Sequence, residues 1–371
     1  MESIQQLEAV RDARPAIAMA VVVAPAPLGS GGLGRAAAEF VDGMAALGGE
    51  AQFVGLRPRG RLARAAQSRP FRRAFGIGPF VSLTSRAVRR AVPAEGWELA
   101  YAMPGTLPPD RPGSGVRVLH QATRHPAVRW AALARGERET GGRGGMSRGE
   151  RRRCEREICA ADLVHVSSAA VRDELLEAGV PPGRLVEAPL GVDLERYRPA
   201  PKAAQLTVAF VGPLSLGKGV DVVAELAERL GDAAAVEVVG GPTCPWSRRL
   251  CDGARFGRRT SVPELLAEAH ALVLPSRSDG FSYAVLEALA SGTVPLVTPE
   301  VGAAEIVRRL DPRLVIEREG FAERAAALLA ELDFAALAPR SRELVTEFDR
   351  TRTSRAIAAA VTARAAELRG G

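Results

Sequence analysis

The strongest constraint on this chain is a rhythm of short apolar strands and amphipathic helices that runs through the sequence twice. Apolar β-branched runs alternate with Ala- and Leu-rich stretches, the pattern of βαβ units with right-handed crossovers on a parallel sheet. The predicted strands are residues 17–24, 51–56, 99–103, 116–119 and 163–166 in the first series, and 206–211, 235–239, 271–274 and 293–297 in the second. We therefore expect an α/β fold made of two Rossmann-like parallel-sheet domains that face a cleft.

The two series are separated by the stretch Pro199-Ala200-Pro201, and the chain of 371 residues suits two domains. We predict a first domain at residues 1–198, a second at 199–349, and a helix at 350–371 that has no partner strand. Two segments interrupt the rhythm: residues 57–73 are densely basic, and residues 136–153 are rich in Gly and Arg. Both are typical of exposed loops or helix starts.

Composition narrows the classes of function. The formal net charge of +7 suits an anionic ligand, an anionic membrane surface or nucleic acid, although a solvated Arg-rich surface explains it equally well. The basic excess is diffuse and has no aromatic platform beside it, so we do not expect nucleic-acid binding.

The same sequence predicts a cytoplasmic protein. The first residues are too polar for a signal peptide, and no apolar run approaches the roughly 20 residues of a membrane span. The four cysteines form neither a CxxC pair nor a zinc pattern, which favours a reduced compartment; they are Cys154, Cys159, Cys244 and Cys251.

Unusual residues collect where the predicted strands end, which is where an open parallel sheet binds its ligands. These strand-end features are the loop 29–34, His120, the loop 212–219, the pair Gly240-Gly241 and the loop 275–282. The first loop lets backbone amides approach an anion at a helix start, although a tight turn without a ligand is the alternative. No acidic residue ends the strand 51–56, which weakens a dinucleotide interpretation.

Lys218 follows a strand in a glycine-flanked loop, where an ammonium can meet phosphate oxygens. The loop is not a Walker A motif, because Gly219 stands where Ser or Thr is required. The alternative is that Lys218 is simply solvated.

The segment 275–287, PSRSDGFSYAVLE, carries the most specific pattern. A helix that starts near Tyr283 would point the amides of Ser282 and Tyr283 at a diphosphate. Glu287 could accept hydrogen bonds from ribose hydroxyls, and Asp279 from a sugar. The alternative is that Asp279 caps the helix and Glu287 lies on the surface.

Taken together, these segments resemble the family 4 glycosyltransferases of the GT-B fold, and the resemblance covers nearly the whole chain. The matching passages are GG at 31–32, ADLVHVS at 161–167, PLGVDLERYRP at 189–199, FVG through KG at 210–219, and DGFSYAVLE at 279–287 with ALASGTVP after it. The last corresponds to the family's E-x7-E signature, with Asp279 in place of the first Glu.

The resemblance implies a retaining transfer from a nucleotide-diphosphate-sugar without a metal or a bound cofactor. The first domain would bind the acceptor and the second the donor, and the C-terminal helix would pack back on the first domain. Lys218 would contact the diphosphate, Glu287 the ribose, and Asp279 with Phe281 and Ser282 the sugar and phosphate. The predicted catalytic residues are His120, Asp279 and Lys218, and the donor-binding residues are Gly31, Gly32, Gly212, Lys218, Asp279, Gly280, Phe281, Ser282, Tyr283 and Glu287.

Departures from the family pattern accompany this resemblance. Pro213 replaces the Arg of the GRL loop, Leu190 replaces Asn, and Ser282 replaces Gly. Candidates for the missing diphosphate cation are Arg35, Arg124 and Arg277, which the sequence does not rank.

The sequence thus predicts sugar transfer to a hydroxyl acceptor, favouring a small molecule or natural-product intermediate. One alternative is a lipid-linked acceptor, with the segment 57–73 resting weakly on an anionic membrane. Another is a nucleotide-sugar-binding partner with weakened catalysis. Neither the sugar, the base, the acceptor nor the oligomeric state follows from the sequence.

Overall fold

The computed structural model describes residues 16–29, 31–55, 85, 87–142 and 145–370. The predicted basic segment 57–73 lies outside the described residues. The strands, in chain order, are β1 (Met19–Ala24), β2 (Glu50–Gly55), β3 (Leu99–Ala102), β4 (Val116–His120), β5 (Leu163–Val166), β6 (Leu185–Glu187), β7 (Thr207–Val211), β8 (Ala235–Val239), β9 (Gly257–Arg258), β10 (Ala271–Leu274) and β11 (Val294–Val297).

Helices connect these strands along the chain. They are α1 (Gly31–Ala46), α2 (Pro126–Thr140), α3 (Arg148–Ala160), α4 (Ala169–Glu177), α5 (Val220–Leu230), α6 (Pro245–Gly253), α7 (Val262–Glu268), α8 (Tyr283–Ala290), α9 (Ala304–Leu310), α10 (Phe321–Glu331), α11 (Phe334–Val345) and α12 (Arg350–Gly370). Short 3₁₀ turns cover Pro182–Arg184, Leu216–Lys218, Pro312–Leu314 and Thr346–Phe348.

Two parallel sheets organise the described residues, which confirms the predicted α/β fold. The first has the order β2-β1-β3-β4-β5-β6 and the second β11-β10-β7-β8-β9. Every predicted strand is present, with ends shifted by a residue or two. The sequence missed β6 and β9, because edge strands this short carry no readable apolar period.

By contacts, the chain divides into two compact units. One comprises Met1–Pro126, Arg148–Gly191 and Arg350–Gly371, and the other comprises Ala127–Ser147 and Val192–Asp349. This division differs from the predicted boundary at 198/199, which puts all earlier residues in the first domain. Helix α2 groups with the second unit because its residues pack there, as Gly136 does against Arg277.

In the first unit, both faces of the sheet are covered. One face packs Val21, Ala100, Leu119 and Val164 into an apolar cluster with Ile158 of α3. On the other face α1 packs against the C-terminal helix α12, whose buried residues are mostly small, four of the nine being alanine. Small side chains let two helices approach closely, which accounts for an Ala-rich helix that has no strand partner.

The sheet of the second unit is also well buried, as β10 and β11 show. All four residues of β10 and of β11 are buried, as expected for strands of a parallel sheet covered by helices. In the described part of the chain, no helix is both long and apolar enough to span a bilayer.

Gly43 marks the closest approach of α1 to α12. A Cβ at this position would lie 1.9 Å from the carbonyl oxygen of Ser354, so no side chain fits without moving α12. We predict that Gly43→Ala lowers the free energy of unfolding by about 1–3 kcal/mol through overpacking, measured by urea denaturation.

The matched control is Gly32→Ala in the same helix, where a Cβ would meet no atom within 4 Å. Alanine is the better helix former, so this variant should gain up to about 1 kcal/mol. Equal effects of the two substitutions would contradict the packing explanation.

Candidate functional site

The loop that follows β10 is fixed in place by the turn that follows β11. The Asp279 amide donates to the Glu300 carbonyl at 3.1 Å, and the Gly302 amide donates to the Asp279 carbonyl at 3.0 Å. The Ala303 amide donates to the Phe281 carbonyl at 3.0 Å. The loop is thus held in one shape by backbone bonds before any ligand arrives.

Helix α8 begins directly after this loop at Tyr283, as predicted. Its N-cap is Ser282, whose side chain makes no capping hydrogen bond. The alternative in which Asp279 caps the helix is therefore wrong. Glu287 is 2% exposed, so the alternative that it lies on the surface is also wrong. The amides of the first turn and a buried carboxylate one turn later are thus both present on α8.

Ser282 adopts an unusual backbone conformation at the start of α8. Its φ of 83° makes it the one non-glycine residue with positive φ in the described part of the chain. The family resemblance places Gly here, and Gly would adopt this conformation without strain. The fixed loop on one side and the buried helix on the other hold Ser282 in it.

The loop that follows β7 brings Lys218 to the same edge of the second sheet. Ser215 Oγ accepts the Lys218 amide at 3.3 Å, which closes the 3₁₀ turn Leu216–Lys218. Gly219 has φ 72°, and a Cβ there would lie 2.0 Å from the Pro275 carbonyl oxygen. Glycine is required at 219 because the β7 loop and the β10 loop touch at this point.

The structure joins two residues that the sequence assigned separately. The Lys218 ammonium forms an ion pair with the Asp279 carboxylate, and their side chains are 24% and 11% exposed. Lys218 and Lys202 are the only lysines in a chain that otherwise uses arginine. Lys202 is engaged elsewhere, because its Nζ donates to Thr293 Oγ1 at 3.1 Å and burial lowers its pKa to about 8. The rarity of lysine in the sequence is a signal that distinguishes position 218.

Arg277 is a functional neighbour whose part the sequence did not predict. Its guanidinium is buried and binds both carboxylate oxygens of Asp221, at 2.7 and 2.6 Å. It also donates to the Leu216 carbonyl at 2.9 Å, and its amide donates to the Gly217 carbonyl at 2.8 Å. Arg277 therefore braces the turn that carries Lys218.

The other candidate cations lie in the first unit. Arg124 Nε donates to Glu174 Oε1 at 2.6 Å. Arg35 lies half-buried on α1. Two of the three candidates for the cation missing at Pro213, Arg124 and Arg277, thus already neutralise carboxylates within their own unit.

Two glycines allow the ends of β7 and β8 to pass each other closely. Gly212 and Gly240 have φ 143° and 152°. A Cβ at Gly240 would lie 1.8 Å from the Gly212 carbonyl oxygen. Gly212 is therefore held at the carboxyl end of β7, beside the predicted donor loop.

The predicted glycines of the first unit start α1. A Cβ at Gly31 or Gly32 would meet no atom within 4 Å, and Gly31 has φ 59°. The backbone here is open, as an amide that approaches an anion requires. Contact of these two residues with a diphosphate stays a prediction.

His120 is the last residue of β4 and is fully buried. Its Nε2 lies 3.1 Å from Ser167 Oγ, and its ring stacks on His165 with centroids 4.6 Å apart. His165 Nε2 lies 2.8 Å from the Ala188 carbonyl, so this nitrogen carries the proton. The Tyr101 hydroxyl, 2.6 Å from His165 Nδ1, is therefore the donor to it. We name Tyr101, His120 and His165 the histidine cluster.

Both imidazoles of the histidine cluster are neutral near neutral pH. Burial, with a smaller contribution from His165, lowers the pKa of His120 well below its usual value. Burial also lowers the pKa of His165 to about 4. His120 Nδ1 is buried and has no hydrogen-bond partner among the described residues. A neutral imidazole of this kind can form a hydrogen bond with a ligand, but it carries no positive charge that would attract an anion.

We predict that Ser282→Gly raises the free energy of unfolding by about 1 kcal/mol, because glycine removes the strain at positive φ. Urea denaturation measures the change. The matched control is Ser291→Gly at the other end of α8, where φ is −85° and glycine should destabilise. Destabilisation by both substitutions would contradict the strain at Ser282.

We also predict that the protein loses stability as the pH falls from 6.5 towards 4. The folded pKa of His165, about 4, lies below its ordinary value of 6.5, so only the unfolded chain takes up a proton in this interval. The shift corresponds to a loss of about 3 kcal/mol across the interval.

Urea denaturation at a series of pH values measures this loss. The variant His165→Gln keeps an amide donor for the Ala188 carbonyl and has no group that titrates. It should lose less stability on acidification than the parent chain. An identical pH dependence in the two proteins would rule out His165 as the source.

Profiles of known families match the two predicted domains separately. The profile described as Glycosyltransferase Family 4 matches residues 30–196, and the profile described as Glycosyl transferases group 1 matches residues 205–331. Together the two profiles cover most of the chain, one in each predicted domain.

Individual relatives are more distant. A D-inositol 3-phosphate glycosyltransferase of Nocardia farcinica is 30% identical over 59% of this chain and 54% of that protein. A GDP-mannose-dependent alpha-(1-6)-phosphatidylinositol monomannoside mannosyltransferase of Mycobacterium tuberculosis is 30% identical over 50% of this chain and 57% of that protein. The aligned part of the chain thus spans little more than half the length of these curated relatives.

A solved structure supports the fold. Sucrose-phosphate synthase from Thermosynechococcus elongatus superposes with a TM-score of 0.63 at 16% identity, covering 90% of this chain and 95% of that one. With two parallel α/β sheets and a family profile on each half, this chain belongs to the family 4 glycosyltransferases of the GT-B fold.

Proposed function

We propose that the chain transfers a sugar from a nucleotide-diphosphate-sugar to a hydroxyl acceptor, with retention of anomeric configuration and without a metal. One observation carries the proposal: Lys218 and the N-terminus of α8 follow β7 and β10, which are neighbours in the second sheet. The chain leaves β7 towards β8 on one side and reaches β10 on the other, so this is the switch point of the sheet. Ligands of open α/β sheets bind at such points.

The donor would bind with its diphosphate at the start of α8. The first-turn amides and the helix dipole attract the anion, and Lys218 supplies a full positive charge. Glu287 lies one turn further along α8 and would accept hydrogen bonds from the ribose hydroxyls. Because Arg277 holds the Lys218 turn against Asp221, the ammonium is positioned with little loss of entropy on binding.

The ion pair of Lys218 with Asp279 suggests how diphosphate binding could prepare both the phosphate contact of Lys218 and the sugar contact of Asp279. When a diphosphate arrives, its oxygens compete for the ammonium. When the ammonium moves towards a phosphate oxygen, it leaves the Asp279 carboxylate. That carboxylate can then accept hydrogen bonds from sugar hydroxyls. The aspartate, one methylene shorter than the family's Glu, would set the distance over which this exchange occurs.

The reaction itself breaks the bond between the anomeric carbon and the diphosphate oxygen and forms a bond to the acceptor oxygen on the same face. The acceptor proton passes to the departing phosphate oxygen, so no enzymic nucleophile is needed. Negative charge grows on the diphosphate as the bond breaks. Lys218 and the α8 amides stabilise that charge where it develops.

His120 would act as a neutral hydrogen-bonding group and not as an acid. Because its pKa is lowered well below the usual value by burial, the ring does not carry a second proton near neutral pH and cannot act as a cationic acid. We propose that its unpartnered Nδ1 orients a hydroxyl of the sugar or of the acceptor.

For the acceptor we propose a small hydroxyl compound, such as a natural-product intermediate, handled in the cytoplasm. The relative named for D-inositol 3-phosphate supports a small acceptor. The relative named for a phosphatidylinositol mannoside supports the alternative, a lipid-linked acceptor at an anionic membrane. A nucleotide-sugar-binding partner with weakened catalysis is the other alternative, and transfer activity distinguishes it.

We predict that Lys218→Ala lowers kcat/KM for the donor by about a hundredfold, the loss of a charge-assisted phosphate contact of about 2–3 kcal/mol. Lys218→Arg should recover part of it. Glu287→Gln should mainly raise the donor KM, and His120→Asn should mainly lower kcat. Steady-state kinetics with a panel of nucleotide-sugars gives these values. Donor kinetics unchanged in all of these variants would exclude the site.

The scarcity of lysine offers an independent measurement. Lys202 and Lys218 are both half-buried, and they lie in different parts of the sequence, so acetylation of each can be followed separately. A bound donor should protect Lys218 from acetylation, read by mass spectrometry, while acetylation of the chain's amino terminus serves as the internal control. Equal modification of Lys218 with and without every nucleotide-sugar tested would remove Lys218 from the donor site.

A further inference from the structure

The first unit contains a pocket of about 850 Å³ that is lined by arginines. No residue of the predicted donor or catalytic set lines it. Against two carboxylates, Asp110 and Glu157, the lining includes Arg89, Arg90, Arg111, Arg117, Arg153 and Arg156. We name it the arginine pocket.

One wall of the arginine pocket is a single face of α3. Arg153, Arg156, Glu157 and Ala160 all line the pocket, and their spacing of three, four and seven residues puts them on one side of a helix. The wall is therefore a regular surface of the fold and not a chance gathering of loop side chains.

A second wall is the connection from β3 to β4, which hydrogen bonds hold against α3. The two carboxylate oxygens of Glu157 accept the amides of Gly105 at 2.6 Å and Leu107 at 2.9 Å. Thr106 Oγ1 donates to the Val23 carbonyl at 2.9 Å. These bonds fix the wall before a ligand binds, and they also occupy the Glu157 oxygens.

The arginines of the pocket differ in how far they are neutralised. Arg117 donates to both oxygens of Asp162, at 3.1 and 2.9 Å, and so belongs to the scaffold. Arg90, Arg111 and Arg156 are exposed and form no ion pair with any residue of the described ranges. Three guanidinium groups without an ion-pair partner among the described residues thus line this pocket, together with the carboxylates of Asp110 and Glu157.

A neighbouring pocket of about 930 Å³ gives the contrast. Its arginines are engaged: Arg184 donates to the Ile158 carbonyl at 2.9 Å, and Arg369 pairs with Glu98. Arginines without an ion-pair partner in the described ranges are therefore a property of the arginine pocket and not of every basic concavity on this unit.

We propose that the arginine pocket binds an anion that carries two or more phosphate groups. A guanidinium presents a planar fork of N–H donors that matches phosphate oxygens in pairs. Three such forks on these walls suit a diphosphate or a doubly phosphorylated compound better than a single carboxylate. The phosphates could belong to a soluble metabolite or to a lipid headgroup, since the recognising chemistry is the same.

Isothermal titration with inorganic pyrophosphate tests the site. It is done in a Lys218→Ala background, so that the proposed donor site contributes little. Adding Arg90→Gln and Arg156→Gln should weaken binding at least about tenfold. The matched control adds Arg148→Gln and Arg152→Gln, which remove the same charge from exposed positions of α3 outside the pocket. The control should bind pyrophosphate like the background protein.

Each result of the pyrophosphate titration either supports or overturns the arginine pocket as a binding site. An equal loss in both pairs of substitutions means general electrostatic attraction and overturns the site, as does no loss in either or no binding at all. Sugar transfer is not measured here, so a negative result leaves the proposed transferase function standing, and the reverse also holds.

Sedimentation with phosphatidylcholine vesicles, with and without phosphatidic acid, distinguishes the source of the phosphates. Association that requires phosphatidic acid and is lost in the Arg90→Gln, Arg156→Gln protein assigns the pocket to a lipid headgroup. Binding of pyrophosphate alone, with no vesicle association, assigns it to a soluble phosphate compound.

Discussion

The close approach of Gly219 to the Pro275 carbonyl is the contact on which the candidate donor site depends. It joins the loop after β7 to the loop after β10, and no residue with a side chain could occupy position 219 at that separation. Arg277 stabilises the same junction, because its amide and its guanidinium both donate hydrogen bonds to the turn that carries Lys218. Lys218, Asp279 and the start of α8 lie together as a result.

Several cations among the described residues are committed to ion pairs within their own unit. Arg117, Arg124 and Arg277 each bind a carboxylate of their own unit, so a count of basic residues overstates the positive surface available to ligands. What matters is which cations lack a structural partner or can leave it. Lys218 is held by a single carboxylate that a phosphate can displace, and three guanidiniums of the arginine pocket have no acidic partner in the described ranges. The two proposed sites would therefore differ: Lys218 would exchange its carboxylate for phosphate, whereas the arginine pocket would bind an anion without such an exchange.

The histidine cluster shows a related principle in the first unit. Burial removes charge from His120 and His165, and directional hydrogen bonds then decide what each ring can do. His165 is saturated by Tyr101 and the Ala188 carbonyl, which makes it a positioning group for the His120 ring that stacks on it. Among the ring nitrogens of the cluster, Nδ1 of His120 is thus left without a hydrogen-bond partner in the described residues.

The sequence by itself determined the two sheets, the start of α8 at Tyr283 and the strand-end positions of Lys218 and His120, since these follow from apolar periodicity and from where glycine interrupts it. It did not determine which side chains meet. The pairing of Lys218 with Asp279, the brace that Arg277 forms with Asp221, and the partners of His120 join residues far apart along the chain. Only the tertiary structure decided these contacts, because strand order and register bring distant residues together. The local pattern of apolar residues does not specify which strands pair or in which register.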